Sequence, residues 1–261
     1  EVNDIKVLDQ SYRIPGGPIH ELSQKIINKV QNRFEKTYKP RDEIGLLKRY
    51  SDITQVDMSK GNWLVLSSAN YFLDDAKDLC EIQGWYYQYK GMNSVSLKLL
   101  LALNNWESWR KGEWLNHLEI KNIYQYLGSN VAVGYQKGKT LHSDAKYTLK
   151  ECQEQHGLTI SDVWYKSFNG LDPMTETYIR NMRANGEMIN KNPRITVSTI
   201  HGAKGGEADK VLLMQDITNA ALETFSYDPD ELHRLFYTGA TRAKRELHLL
   251  DPKNFDRAYI I

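Results

Sequence analysis

A chain of 261 residues with 41% hydrophobic and 26% charged residues can bury one large core or two modest ones, and a net charge of +1 leaves no global electrostatic footprint of a nucleic-acid binder. A mean hydropathy of -0.59, the lack of any apolar run of bilayer length and a start (Glu1-Val2-Asn3-Asp4) unlike a signal or transit peptide argue against a membrane protein and place the expected location in the cytoplasm. Cys80 and Cys152 lie far apart without metal-ligand spacing, so neither a zinc site nor a disulfide framework is expected, only buried thiols.

Residues 5–8 read as a short strand, followed by a Gly/Pro loop (Ile14-Pro15-Gly16-Gly17) and a helix opened by Pro18. Ile19, Leu22, Ile26 and Val30 give that helix one apolar face. Residues 62–66 form a continuous apolar strand of the kind buried on both faces of a sheet. Asn70 stands as an N-cap, Leu73, Ala76 and Leu79 mark the helix behind it, Gly84 ends it, and residues 85–89 return as a strand. This β-α-β order points to a parallel sheet. After Gly91 the pattern turns helical, with helices expected at 94–109, 116–127, 144–156, 161–168 and 172–186.

From Arg194 the β-α-β order resumes: strands at 195–199 and 211–214, a helix opened by Asp228-Pro229 with Glu231 closing a capping box, and a strand at 247–250. The expected architecture is therefore one discontinuous α/β domain, residues 1–90 and 192–261, interrupted by a mostly helical insertion over residues 91–191. The chain lacks an initial Met and is expected to be a piece of a longer protein.

Three segments carry chemistry. The run Thr199-Ile200-His201-Gly202-Ala203-Lys204-Gly205-Gly206-Glu207 leaves a strand end in a small-residue loop, where backbone can approach phosphate groups. The run from Glu231 to Lys244 is an amphipathic helix with Leu232, Leu235 and Phe236 inward and a Thr-Arg-Ala-Lys tail. The segment Leu8-Asp9-Gln10-Ser11-Tyr12-Arg13 sets an arginine at a strand end. Each also has an ordinary reading, as a surface connection, a helix with solvated basic residues near its C-terminus, and a surface ion pair.

In this order the segments resemble motifs IV (L-x-x-N/S-Y-R, residues 8–13), V (T-x-H-x-A-K-G-x-E, residues 199–207) and VI (L-x-Y-V-A-x-T-R-A-K, residues 235–244) of UvrD-like superfamily 1 DNA helicases. The resemblance covers the α/β segments and implies the second RecA-like motor domain, a P-loop NTPase-type fold termed domain 2A. The helical stretch matches only in position, as that family's 2B insertion. Motifs I to III, with the Walker A lysine and Walker B acid, have no counterpart, so a missing N-terminal RecA-like domain is implied as partner.

The resemblance also implies roles. Arg13 and Arg242 correspond to two arginine fingers that reach the γ-phosphate of ATP, held with Mg²⁺ mainly by the missing half. Gly205 and Glu207 correspond to nucleotide contacts, the glutamate accepting from the ribose. Thr199, His201 and Asn70 correspond to contacts with single-stranded DNA. Tyr237 and Lys204 correspond to residues that hold the motif loops together. Translocation would run 3′ to 5′, and this half alone would lack ATPase activity. Departures from the family pattern are Ser67 and Ser68, where relatives carry an aromatic and an arginine, and Gly206 and Ala208, where Leu and Phe are common.

A different class of function, a non-catalytic DNA- or protein-binding regulatory module on the same fold, also fits the motifs. The stretch Gly134-Tyr135-Gln136-Lys137-Gly138-Lys139-Thr140 ends like a Walker A loop, yet only three residues separate its glycines where a phosphate loop needs four. It reads as a basic turn of the insertion that touches duplex DNA.

Overall fold

The computed structural model describes residues 10–34, 38–128, 131, 140–187, 191–203 and 205–261. The strand expected at 5–8, Leu8 and Asp9 of the first motif, Lys204, and Gly134 to Lys139 lie outside the described residues. The chain forms two compact units, Glu1–Gly91 with Lys191–Ile261, and Met92–Asn190.

The first unit opens with β1 (Gln10–Gly16), α1 (Pro18–Ile27), β2 (Lys39–Ile44), β3 (Leu46–Tyr50), β4 (Trp63–Ser67), α2 (Asp74–Gln83) and β5 (Tyr87–Tyr89). The second holds the two-residue strands β6 (Met92–Asn93), β7 (Leu115–Asn116) and β8 (Lys146–Tyr147), with helices α3 (Leu97–Arg110), α4 (His117–Tyr124), α5 (Leu149–Gln155), α6 (Trp164–Ser167) and α7 (Pro173–Ala184). The chain returns to the first unit with β9 (Ile195–Thr199), β10 (Ala208–Met214), α8 (Asn219–Tyr227), α9 (Asp230–Ala240) and β11 (Ala243–Leu250).

Within the first unit the strands lie in the order β3-β11-β10-β4-β9-β5, and every one of these pairings is parallel. This mixed α/β fold with a large parallel sheet is compatible with a RecA-like domain. All five residues of β4 are buried, as expected of a strand covered on both faces, and Trp63 pairs with Ile195 on one side and Lys210 on the other. One face of the sheet packs on α1 and α9, where Ile19, Ile26, Phe236, Leu247 and Leu249 join the core. Full burial of a side chain such as Phe236 contributes roughly 2 kcal/mol.

Local signals explain the helix ends. Pro18 occupies the first turn of α1, and Gly17 ahead of it has φ 69°, where a Cβ would also stand 2.9 Å from Ile44. Gly84 closes α2 in the left-handed region.

Several expectations need correction. Ile14 to Gly16 belong to β1 and not to a loop, because β2 pairs with them in parallel. Asn70 is not a helix cap: it begins a 3-10 turn, Asn70–Leu73, and α2 starts at Asp74. The capping box at Asp228 and Glu231 is absent, since α9 begins at Asp230 after Pro229 with no side-chain cap. The Asp230 carboxylate instead accepts the main-chain N–H groups of Gln31 and Asn32, each at 2.8 Å, and so ties the chain beyond α1 to the start of α9. Leu235 is half-buried, whereas Leu232 and Phe236 are buried. The strands β2 and β3 and the helix α8 carry no pattern that the sequence reading recognised.

In the second unit, Trp106 and Trp109 of α3 are fully buried and donate their indole N–H groups to the carbonyls of Asp162 and Tyr147, both at 2.9 Å. Capping boxes open α4 (Asn116 with Glu119) and α5 (Thr148 with Glu151), and Asp172 caps α7 with Pro173 in its first turn. No helix among the described residues is long and apolar enough to cross a membrane.

Candidate functional site

Four charged residues gather where β10 and β11 begin. Glu207 immediately precedes β10 and Arg242 immediately precedes β11, and the N–H of Ala208 donates to the carbonyl of Arg242 at 3.3 Å. Lys244, the second residue of β11, sets its Nζ 2.5 Å from Glu207 Oε1. The hydrogen bond from Lys244 holds the Glu207 carboxyl below the usual range, and Arg13 and Arg242 both add to that effect.

Arg13 projects from β1 and is half-buried, while Arg242 is only 7% exposed. The Nε of each is buried and has no hydrogen-bond partner among the described residues. Burial lowers the pKa of the Arg242 guanidinium, and the nearby charge of Arg13 lowers it further against the opposing pull of Glu207. Three cations therefore share one carboxylate, and that carboxylate is engaged by Lys244. Guanidinium groups whose Nε atoms have no hydrogen-bond partner among the described residues keep donors for an oxyanion, whose oxygens match their planar fork.

The burial of Arg242 departs from the ordinary reading of this helix, in which the basic residues near its C-terminus are solvated. Thr241 caps α9 and the chain passes straight into β11, which pairs with β10 from its first residue, Ala243 against Ala208. The arginine is thus enclosed by the turn that joins helix to strand. Gly205, with φ 86°, supplies a left-handed turn shortly before Glu207. Tyr237 is half-buried, and its hydroxyl stands 3.5 Å from that of Tyr38, which is 2.8 Å from Ser23 Oγ of α1.

A second group lies at the other end of the sheet, where β4, β5 and β9 finish. A cleft of about 510 Å³ is lined by Asn70, Tyr89, Lys90, Ser198, Thr199 and Gly206, among others. Thr199 Oγ1 accepts the N–H of Gly202 at 3.0 Å, and its carbonyl accepts that of Ala203 at 2.9 Å, so the hydroxyl proton stays available. Exposed Asn70 accepts from the Tyr89 hydroxyl at 3.1 Å, which orients its amide and leaves the N–H groups as donors. The Nζ atoms of Lys77 and Lys90 lie 4.7 and 5.1 Å from the Tyr89 ring centroid.

The structure brings Asn70 and Thr199 together but not His201. That exposed histidine lines two other hollows, one of about 420 Å³ shared with Arg234, Thr238 and Arg242 and one shared with Ser68 and Thr218. Sequence reasoning missed Tyr89, Lys90 and Lys244 as site members. The Tyr-Lys-Gly turn at a strand end was the available signal for the first two.

Another cleft, of about 540 Å³, contains none of the candidate site residues named from the sequence. Its lining carries Asp52, Asp75, Asp78, Asp216 and Asp251, which oppose an anionic ligand. Both cysteines are buried, and burial pushes the Cys152 thiol up to about 12.

Comparison with curated proteins gives no match. A protein-family comparison does find one, and it spans β9 to β11 with Thr199, His201, Glu207, Arg242 and Lys244 inside it and Arg13 and Asn70 outside it. Residues 194–250 match the family described as UvrD-like helicase C-terminal domain, which supports a UvrD-like helicase C-terminal region in this part of the chain.

Proposed function

We propose that this chain is the C-terminal motor half of an ATP-dependent DNA helicase or translocase, moving 3′ to 5′ on single-stranded DNA. Its first unit serves as the second RecA-like domain, and its second unit as a 2B-like insertion that meets duplex DNA. The partner is a first RecA-like domain in the longer protein that would carry this chain. That domain holds the triphosphate and Mg²⁺.

The single observation that carries this reading is the pair of arginines, Arg13 and Arg242, whose buried Nε atoms have no hydrogen-bond partner among the described residues, beside a carboxylate already claimed by a lysine. Such a pair suits a γ-phosphate presented by another domain. The guanidinium forks bind phosphoryl oxygens and neutralise charge that builds up during transfer, without acting as bases. Glu207 offers a carboxylate oxygen to a ribose hydroxyl. At the opposite end of the sheet, Asn70 and Thr199 offer an amide and a hydroxyl to backbone phosphates of single-stranded DNA, while His201, which lines other hollows, offers a donor apart from them. Residues 200–206 connect the two ends, so a change at the nucleotide is felt directly at the DNA track.

The test is steady-state ATPase of the full-length protein with saturating single-stranded DNA. Arg242→Ala and Arg13→Ala are each expected to abolish DNA-stimulated turnover, and this chain alone is expected to show none. Turnover near the parental rate in both variants overturns the assignment and leaves a non-catalytic binding module as the better reading.

A further inference from the structure

We infer that Lys244 is a positioning residue that keeps Glu207 off the arginine pair, so that Arg13 and Arg242 remain free for an incoming oxyanion. The inference rests on the proposed anion-binding role of the two arginines and adds a residue to it.

The geometry is as follows. Glu207 and Arg242 are brought together by the main chain, since the hydrogen bond between Ala208 N–H and the Arg242 carbonyl joins the residues where their two strands begin. A carboxylate placed there feels the charge of both Arg13 and Arg242, and a bidentate carboxylate–guanidinium pair is among the strongest side-chain contacts available. Yet neither Arg13 nor Arg242 makes a side-chain hydrogen bond among the described residues, and both Nε atoms are buried without a partner. The Glu207 carboxylate instead meets Lys244 Nζ at 2.5 Å. Lys244 is itself held: it lies in β11, and its carbonyl accepts from the Arg41 guanidinium. Its side chain is about as exposed as that of Glu207 (38% and 39%), so the pair sits at the rim while Arg242 lies inside.

A lysine suits this task. Its ammonium is a compact charge that satisfies a carboxylate from one side, whereas a third guanidinium would compete for the phosphoryl oxygens. Without Lys244 the carboxylate would turn inward, pair with Arg242 or Arg13, and an anion would have to displace it.

The experiment uses the 261-residue chain and inorganic tripolyphosphate, titrated by calorimetry at low salt, with far-ultraviolet circular dichroism to confirm folding. Lys244→Met is expected to weaken tripolyphosphate binding by about tenfold, the worth of one charge-assisted hydrogen bond. Glu207→Gln is expected to tighten it, because the competing carboxylate is gone. The double variant Lys244→Met/Glu207→Gln is expected to bind as tightly as Glu207→Gln, since there is nothing left to restrain. If the double variant stays as weak as Lys244→Met, the lysine contacts the anion itself and the positioning role is wrong. Arg242→Ala separates the two levels: if it binds tripolyphosphate like the unchanged chain, the arginine pair is not an anion site and the inference falls with that reading.

Discussion

Thr199 and Glu207 stand at opposite ends of one parallel sheet although residues 200–206 alone separate them in sequence. Thr199 is the last residue of β9, Glu207 immediately precedes β10, and both strands pair in parallel with β4, which lies between them. The connecting loop therefore runs back along the sheet, from the cleft that holds Asn70 to the cluster that holds Arg242. Its start is pinned by the N–H of Ile200 on the Ser67 carbonyl at 2.9 Å, and its end by that of Gly206 on the Ala203 carbonyl at 2.8 Å.

Arg242 sets stability against function. The buried Arg242 guanidinium, whose Nε has no hydrogen-bond partner among the described residues, costs desolvation energy that the nearby charge of Glu207 only partly offsets. Arg242→Met keeps much of the volume and removes the charge, so it is expected to stabilise this chain by on the order of 1 kcal/mol. On the proposed motor role, the same change in the full-length protein is expected to lower ATP turnover by about three to five orders of magnitude, and Arg242→Lys is not expected to restore it. Thermal melts of the chain and ATPase of the whole protein check the two halves. A melting temperature lowered by the Met variant would mean that the arginine holds the fold together.

On the proposed role, the cleft lined by Asn70 and Thr199 takes single-stranded DNA. This chain is expected to bind a fluorescent single-stranded oligonucleotide weakly and with strong salt dependence, since local donors and not net charge make the contact. Asn70→Asp replaces amide donors by a carboxylate and is expected to weaken binding by about tenfold, as for one lost hydrogen bond to a charged group. Thr199→Val should act in the same direction, and Thr199→Ser should not, because serine keeps both the hydroxyl and the acceptor for Gly202 N–H. Anisotropy titrations at low salt decide it. Equal binding by all variants would move the DNA track elsewhere.

Asp230 gives the fold an acid-sensitive tether. Its carboxyl is held below the ordinary aspartate range, first by the N–H of Asn32, then by that of Gln31, with Arg234 contributing. A depressed carboxylate stabilises the fold at any pH above its unfolded value, about 4, and that contribution disappears as pH falls through the lower folded value. Urea midpoints at pH 7 and pH 3 are therefore expected to differ more for the unchanged chain than for Asp230→Asn. At pH 7 the Asn variant is expected to be the less stable of the two. A variant with the same acid dependence as the parent would show that the tether works through some other group.

Much of the framework follows from local chemistry that a single sequence carries. The apolar run at Trp63 to Leu66 can only be a covered strand, and β9 occupies the expected residues, Ile195–Thr199. Pro18 opens α1 and Gly84 ends α2, because a fixed φ and a left-handed φ are properties of single residues. The motif arginines and the strand-end loop could likewise be named from residue type and order. The strands β2 and β3 escaped notice because they lack an apolar run: β3 lies at the edge of the sheet and β2 pairs outside it, so neither buries both faces. What tertiary structure alone decided are the relations between distant segments. Asp230 reaches back to Gln31 and Asn32, Lys244 takes Glu207, Arg242 is enclosed, and His201 parts from Asn70 and Thr199. Each depends on which strand lies beside which and in what register, a choice made by packing the whole core, and no local pattern of side chains encodes it.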